Sequence, residues 1–441
     1  MRHYVIIGTG PAGIAAAEAI RDQDASGDIL FISDDPHGYY SRPGLAYYLT
    51  GEIPESMLFP WSERDFKRLE TRQLRARVTR VDPLTHQVWL HNGQDIVYDR
   101  LLIATGATAT PLKAPGNDLE GVFKLDNLED ARHILKLARK ARSAVVVGGG
   151  ITALEIVEGL VSRGIKTHYL LRGDRYWSNV LDETESKIVE QRLHEEGVVI
   201  HYHTELAEIL GKKGKVTGVR TKDGRQIPCD MLGFAIGIAP RYSLAESSGI
   251  RTDRGVLVSD YLETSAPDVY AAGDVAQVLD PMTGQSVLDS LWHPAREQGR
   301  TAGLNMAGQS VSYYKPIAFN VTRLANLTTT IIGAVGRGDD SDLIGIARGD
   351  SETWRTLPDA IAAQSDFDVN RLRVLVGQRT LLGGIVMGDQ TLSQPLHHLV
   401  LHQADITPVR EQLLLPNAPL ADILADLWSE RKPDYASTSK P

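Results

Sequence analysis

Apolar positions along this chain follow two rhythms, and their order predicts a strand, turn and helix that occurs twice. Tyr4–Ile7 is a short, largely β-branched run, followed by Gly8, Gly10 and Gly13 and then by an alanine-rich stretch of helical spacing to Ile20. A second strand is expected at Ile29–Ile32, ending just before Asp34. Strand-like runs recur at Gln87–Leu90 and Leu101–Ala104, with the Asn92-Gly93 turn signal between them. An amphipathic helix is expected over Leu128–Arg142, and then the opening pattern returns. It brings a strand at Ser143–Val147, small residues at Gly148, Gly150 and Ala153, a helix over Thr152–Arg163 and a strand at Lys166–Leu171. Residues 195–230 read as strands and turns. Val269–Ala272 reads as a strand, Gly273-Asp274 as its end opening a helical stretch, and Leu291–Met306 as a helix. From about Lys315 short strand-like runs (Thr328–Ile332, Arg373–Val376, Leu381–Met387) precede helical segments in a third unit. Residues 1–3 and 431–441 read as frayed ends.

Gly8-x-Gly10-x-x-Gly13 between a strand and a helix is the layout that binds a dinucleotide diphosphate. Gly8 permits the tight turn, Gly10 lets the backbone approach the phosphates, and Gly13 lets the helix pack on the strand. The phosphates then lie at the positive end of a helix that opens with Pro11 and Ala12. Asp34 follows 26 positions after Gly8, where a carboxylate accepts from both ribose hydroxyls. The second fingerprint, Gly148-x-Gly150-x-x-Ala153, starts 140 positions later and includes Ile151 and Thr152. Two such units imply two dinucleotides, so both a flavin and a nicotinamide cofactor are expected. At the end of its second strand stands Leu171, where an NAD-type site has an acid. Nothing there repels a 2′-phosphate, and Arg172 or Arg175 could pair with one, so the sequence admits NADPH as well as NADH. Leu171→Glu is expected to shift preference towards NADH. Ala104-Thr105-Gly106 suits a chain passing beside a bound cofactor, and Asp274 can accept from a polyol such as a ribityl chain. Trp292, His293, Arg296 and Glu297 are candidates for the flavin-facing side of their helix, with core packing an equal reading for Trp292. Val78 and Gly237 complete the candidate contacts of the flavin and the nicotinamide nucleotide, respectively.

Composition narrows the setting. A chain of 441 residues is expected to form about three domains, and 42% hydrophobic with 23% charged residues is ordinary for a globular protein. The net charge of -9 disfavours nucleic acid as a partner. No apolar run reaches membrane-spanning length and no secretion signal is read, so a cytoplasmic protein without membrane attachment is expected. The single cysteine, Cys229, rules out an internal disulfide or a dithiol pair. Trp61–Arg80 reverses the overall sign, with Arg64, Lys67, Arg68, Arg72, Arg75, Arg77 and Arg80. It reads either as a solvated helix face or as a docking patch for an acidic protein. The aromatic stretch 36–53 reads as a pocket wall or as core packing. His201, His203 and His397-His398 lack further ligands at suitable spacing, so no metal site is expected.

Gly8–Gly13, Ala104–Gly106, Gly148–Glu155 and Tyr270–Asp274, in this order, resemble the pyridine nucleotide-disulfide oxidoreductases over nearly the whole chain. The resemblance implies an α/β protein with two Rossmann-like domains. An FAD domain would comprise residues 1–113 and 241–314, an inserted NAD(P) domain 114–240, and a C-terminal α+β interface domain 315–430, with 431–441 a flexible tail. It also implies a homodimer or a subunit of a larger complex. Ser41–Tyr48 looks like the Arg-Pro segment of rubredoxin and ferredoxin reductases, in which Arg42, beside Pro43, would help hold FAD. Leu382–Asp389 and Asp405–Arg410 look like the third domain of rubredoxin reductases and of the flavin portion of assimilatory nitrite reductases.

Three departures qualify it. Pro43 stands where one branch has its redox cysteine, Tyr47 where electron-transfer reductases often have a lysine near the flavin, and Leu171 where the second fingerprint has its acid. The implied activity is hydride transfer from NAD(P)H to FAD, with Glu155 orienting the carboxamide and Tyr47 a positioning residue. Electrons would then pass to a redox protein such as rubredoxin, ferredoxin or a nitrite or nitrate reductase component. The alternatives are an oxidase or diaphorase acting on oxygen, a quinone or another small acceptor, and a redox-sensing flavoprotein or non-catalytic subunit.

Overall fold

The computed structural model describes residues 1–281, 284–335, 361–367 and 370–438. The first strand-turn-helix forms as its pattern predicts, with strand His3–Ile7, helix Pro11–Gln23 and strand Asp28–Ser33. These strands join Thr71–Arg75, Arg100–Ile103 and Val269–Ala271 in a parallel five-stranded sheet, so residues far apart in sequence complete one layer. The second unit repeats the plan with strands Ser143–Val147, Lys166–Leu170, Val199–His201, Met231–Phe234 and Val122–Phe123, again all parallel. In each sheet the strand before the fingerprint is central and the order reverses there, which opens a crevice at the carboxyl ends of the strands. The chain crosses from the first unit to the second at Ala107–Ala109 and returns at Ile238–Pro240, and these two crossings pair antiparallel. A third, antiparallel sheet of five strands runs from Phe319 to Met387, followed by helices Ser393–Leu401, Arg410–Leu413 and Leu420–Thr438.

Helix Pro11–Gln23 packs against helix Trp292–Met306 with almost nothing between them. A Cβ on Gly299 would lie 2.1 Å from the Ala12 carbonyl oxygen, and one on Gly303 2.4 Å from that of Ala16, so only glycine fits this seam. The third sheet is tied to the second unit by buried charge. Arg373 donates to both oxygens of the wholly buried Glu185 at 2.7 and 3.0 Å and to the Val180 carbonyl, and Arg371 reaches Asp182. Removing one partner of such a pair leaves the other charge buried, which costs about 3–5 kcal/mol.

Four expectations need correction. Trp61–Arg80 is not one helix. Only Glu63–Arg68 is helical, and Thr71–Arg75 and Val78–Asp82 are strands, because pairing to Asp28–Ser33 and to Gln87–Leu90, respectively, overrides the helical preference of arginine. Asp274 opens a turn into strand Ala276–Asp280 rather than a helix. The helix expected over Leu128–Arg142 ends at Ala138. The last helix runs to Thr438 where a frayed tail was expected, and residues 439–441 lie outside the described residues. Among the described residues no helix is long and apolar enough to cross a membrane.

Glu158, on the second fingerprint helix, faces the Arg323–Asn326 turn of the third sheet, whose Asn326 backbone N–H donates to its Oε1 at 3.2 Å. Burial pushes this carboxyl from 4.5 up to about 7. A raised acid favours the protonated fold, so its contribution is complete below about pH 4.5 and is lost as pH rises through about 7. Glu158→Gln should therefore flatten the fall in Tm across that interval and raise Tm above it, with a ceiling on the order of 3 kcal/mol. Melting curves of the two proteins across pH check this, and superimposable profiles would refute it.

Candidate active site

A cleft of about 870 Å³ runs between the two fingerprints. Its first wall is built by the turn after strand His3–Ile7. Gly8 has φ +114°, and a side chain there would meet the Ala104 carbonyl oxygen at 2.3 Å, so glycine is required on both counts. Gly148 repeats this in the second unit, with φ +144° and the Ala235 carbonyl 2.1 Å from its virtual Cβ. Gly10 differs, because its missing Cβ looks into open space within the cleft. Gly13 lies beneath, 2.3 Å by the same measure from the Gly8 carbonyl, and does not line the cleft.

Of the residues expected at a flavin, Gly8, Gly10, Pro11 and Ala12 of the first turn line the cleft, as do Asp34 and Val78. Arg42, Pro43, Ala104, Thr105, Gly106, Asp274 and Trp292 line it too, with Gly273 packed against Ala12 of the first helix. Asp34 also accepts from Arg77 Nε at 3.1 Å, so its carboxylate is shared with a cation that itself lines the cleft. Gln298 accepts the Gly273 N–H at 2.8 Å and fixes the turn that presents Asp274. Trp292 is 46% exposed under the Arg296 guanidinium, at 5.3 Å, and Arg296 is held by Glu18 at 2.9 Å. The packing reading of that tryptophan therefore does not hold.

Ile151, Thr152 and Glu155 bring the second helix to the same cleft, while Gly150, Thr152 and Gly237 line a narrow recess beside it. Tyr47 lies in the lining with Arg323 of the third sheet stacked on its ring at 4.9 Å, and Arg323 is clamped by Glu52. Arg172 and Arg175 reach neither the cleft nor the recess. Arg172 is exposed, and Arg175 is bound to Asp174 at 3.0 Å. Leu171 is 1% exposed, in the apolar cluster that holds Tyr176 and Trp177, so a glutamate there would be a buried charge rather than a ribose ligand. This corrects the expected use of Leu171 as a cofactor switch. Cys229 lies in the core of the second unit, where burial pushes its thiol up to about 12, an inert state away from the cleft.

Arg77, Asp126, Arg241, Arg323 and the third-sheet residues Asn320–Thr322 were not expected at the site, yet all stand at the cleft or in contact with its lining. Arg241 alone carried a signal, following Pro240 at the end of an apolar run. Among the described residues no group of histidine, cysteine and carboxylate side chains could hold a metal.

These features fit a flavin dinucleotide. Open space faces Gly10, the first turns of both fingerprint helices hold no acid to oppose phosphate, and acceptors stand in the cleft lining at Asp34 and at Asp274. Two fingerprint helix N-termini thus meet one cleft that has no thiol in its lining.

Residues 2–299 match the family model described as pyridine nucleotide-disulphide oxidoreductase, and the chain belongs to that family. It is thereby an FAD-dependent NAD(P)H oxidoreductase. It is 32% identical over 354 residues to the ferredoxin--NAD(+) reductase component of a biphenyl dioxygenase system from Paraburkholderia xenovorans, covering 80% of this chain and 85% of that one. It is 30% identical over 342 residues to an NADH oxidase of Methanocaldococcus jannaschii, covering 75% of each. A crystal structure of a ferredoxin reductase from Rhodopseudomonas palustris shares the fold with a TM-score of 0.85 at 22% identity, covering 97% of this chain and 99% of the other.

Gly10→Val should give a folded protein that no longer retains FAD, because a Cβ there has no protein atom within 4 Å and the side chain would occupy the cleft. Gly13→Val should instead destabilise the fold itself. Circular dichroism and flavin absorbance of the purified variants separate the two, and equal FAD content in Gly10→Val and wild type would overturn the assignment.

Proposed function

We propose that this enzyme reduces a small electron-carrier protein of the ferredoxin or rubredoxin class at the expense of NAD(P)H. The observation that carries the reading is one cleft lined from both fingerprints, Gly8–Ala12 on one side and Ile151–Glu155 on the other, with no cysteine to receive electrons. Similarity to the ferredoxin reductase component supports the acceptor class. When bound, FAD takes a hydride from NAD(P)H and passes the electrons on. The chain's contribution is placement. Gly8, Gly10, Pro11, Ala12 and Arg42 hold the flavin diphosphate, Asp34 accepts from its ribose, and Asp274 accepts from its ribityl chain. Val78, Ala104, Thr105, Gly106 and Gly273 shape the walls, and Pro43, Tyr47 and Trp292 bound the reactive end. Gly148, Gly150, Ile151, Thr152 and Gly237 receive the nicotinamide nucleotide, with Glu155 orienting its carboxamide. The fingerprints fall in an FAD domain of residues 1–113 and 241–314 and an NAD(P) domain of 114–240, with 315–430 a third domain, and the enzyme works in the cytoplasm.

The basic stretch is a weaker docking patch than its composition suggests. Arg72, Arg77, Arg80 and Lys67 pair with Asp28, Asp34, Asp82 and Glu63, leaving exposed Arg64, Arg68 and Arg75 for an acidic partner. The second reading, an oxidase, is favoured by the likeness to the archaeal NADH oxidase.

The yellow, FAD-loaded chain should bleach anaerobically with NADH or NADPH and then reduce a ferredoxin or rubredoxin faster than it consumes oxygen. The reverse order of rates would select the oxidase. Arg172 is exposed just after the second unit's second strand, outside the cleft lining, and its guanidinium would pair with a 2′-phosphate held at that strand end. Arg172→Ala should raise KM for NADPH about tenfold and leave that for NADH unchanged. Equal effects on the two nucleotides would remove Arg172 from the site.

A further inference from the structure

Asp126 gathers cations in a way that no helix or sheet requires. It is 1% exposed and lies in the wall between the cleft and the narrow recess. Arg42 Nη1 stands 3.7 Å from its Oδ1, while Arg241 Nη2 and Lys124 Nζ each stand 3.5 Å from its Oδ2. Thr108 donates to that Oδ2 at 3.0 Å, and Lys124 also reaches Asp130 at 3.7 Å. Arg42, Arg241 and Lys124 thus outnumber the Asp126 carboxylate they share, with Asp130 beside Lys124 and with Asp35 and Asp274 also acting on Arg42.

The two guanidiniums face the cleft. Arg42 and Arg241 both line it, with side chains 31% and 40% exposed. Arg241 is also fixed at its base. Its N–H donates to the Gly106 carbonyl at 2.8 Å, and its own carbonyl accepts from Thr105 Oγ1 at 2.9 Å. Two guanidiniums on opposite oxygens of one carboxylate are held near each other, and an anion meeting their other side would gain from both. Planar guanidinium donors suit phosphate oxygens.

We propose that Arg241 is a second guanidinium for the diphosphate of bound FAD, and that Asp126 is the positioning residue that holds it beside Arg42. This rests on the reading of the cleft as an FAD site. Asp126 takes Thr108 from the outward crossing and Arg241 from the end of the return crossing. Retention of FAD and seating of the second unit then depend on the same carboxylate.

Titrating the FAD-free full-length chain with FAD, followed by quenching of flavin fluorescence, tests the assignment. Arg241→Gln and Asp126→Asn should each raise the Kd for FAD about tenfold. The double variant should be no weaker than the weaker single, since both losses act through one contact, and Asp126→Glu should recover most of the affinity. An Arg241→Gln protein that binds FAD within about twofold of wild type overturns the proposal. So does an Asp126→Asn protein that melts earlier in its FAD-free form with an unchanged Kd, because Asp126 is then only an interdomain strap. If Asp126→Asn does not fold, Arg241→Gln decides alone, its side chain being partly exposed. A wild-type chain that takes up no FAD overturns the functional reading itself, and this assignment with it.

Discussion

Two helix backbones pack with almost nothing between them where Gly299 and Gly303 lie against Ala12 and Ala16. With no side chains to separate them, the start of the first fingerprint helix and the Gly273-Asp274 turn are held at a set distance. Gln298, next in line, accepts the Gly273 N–H. The cleft's width on the flavin side is therefore fixed by backbone contact rather than by adaptable side chains. Interiors at this density do not yield gradually, so even one added methyl would move the helix and with it the phosphate-binding turn.

From that fixed side the rest of the cleft is assembled by progressively looser means. The second fingerprint repeats the same turn against Ala235, but its unit joins the first through paired crossings and through Asp126. The third sheet reaches the cleft along Asn320–Thr322 and is anchored by ion pairs, Arg373 with Glu185 and Arg323 with Glu52. Both are also joined by a shared apolar core, in which Leu49 packs against Gly159 and third-sheet Leu324 and Ile331 take part.

What could be read from the sequence is mostly local. Glycine spacing and β-branched runs encode local geometry, so both fingerprint turns, their strands and many residues of the cleft lining were legible from residues a few positions apart. The stretch around Arg72 was misread because only pairing to a neighbouring strand makes it extended. Leu171 was misread because a strand-end position does not reveal which way its side chain turns. Asp126 and Arg241 stand 115 positions apart, and nothing in either neighbourhood announces the other. Charge partners brought together by topology leave no periodic trace.

The antiparallel pairing of Ala109 with Ile238 has a consequence for how such a chain can change over evolutionary time. Everything between those residues leaves the flavin unit and rejoins it at neighbouring points, so the intervening module behaves as a plug-in part whose two ends meet at one socket. A replacement module must match that socket and the contacts it makes elsewhere, the Glu185 pair with Arg373 among them. Exchange of one nucleotide reader for another between distant members of such a lineage is then a single cassette substitution, leaving the flavin side's glycine seam intact.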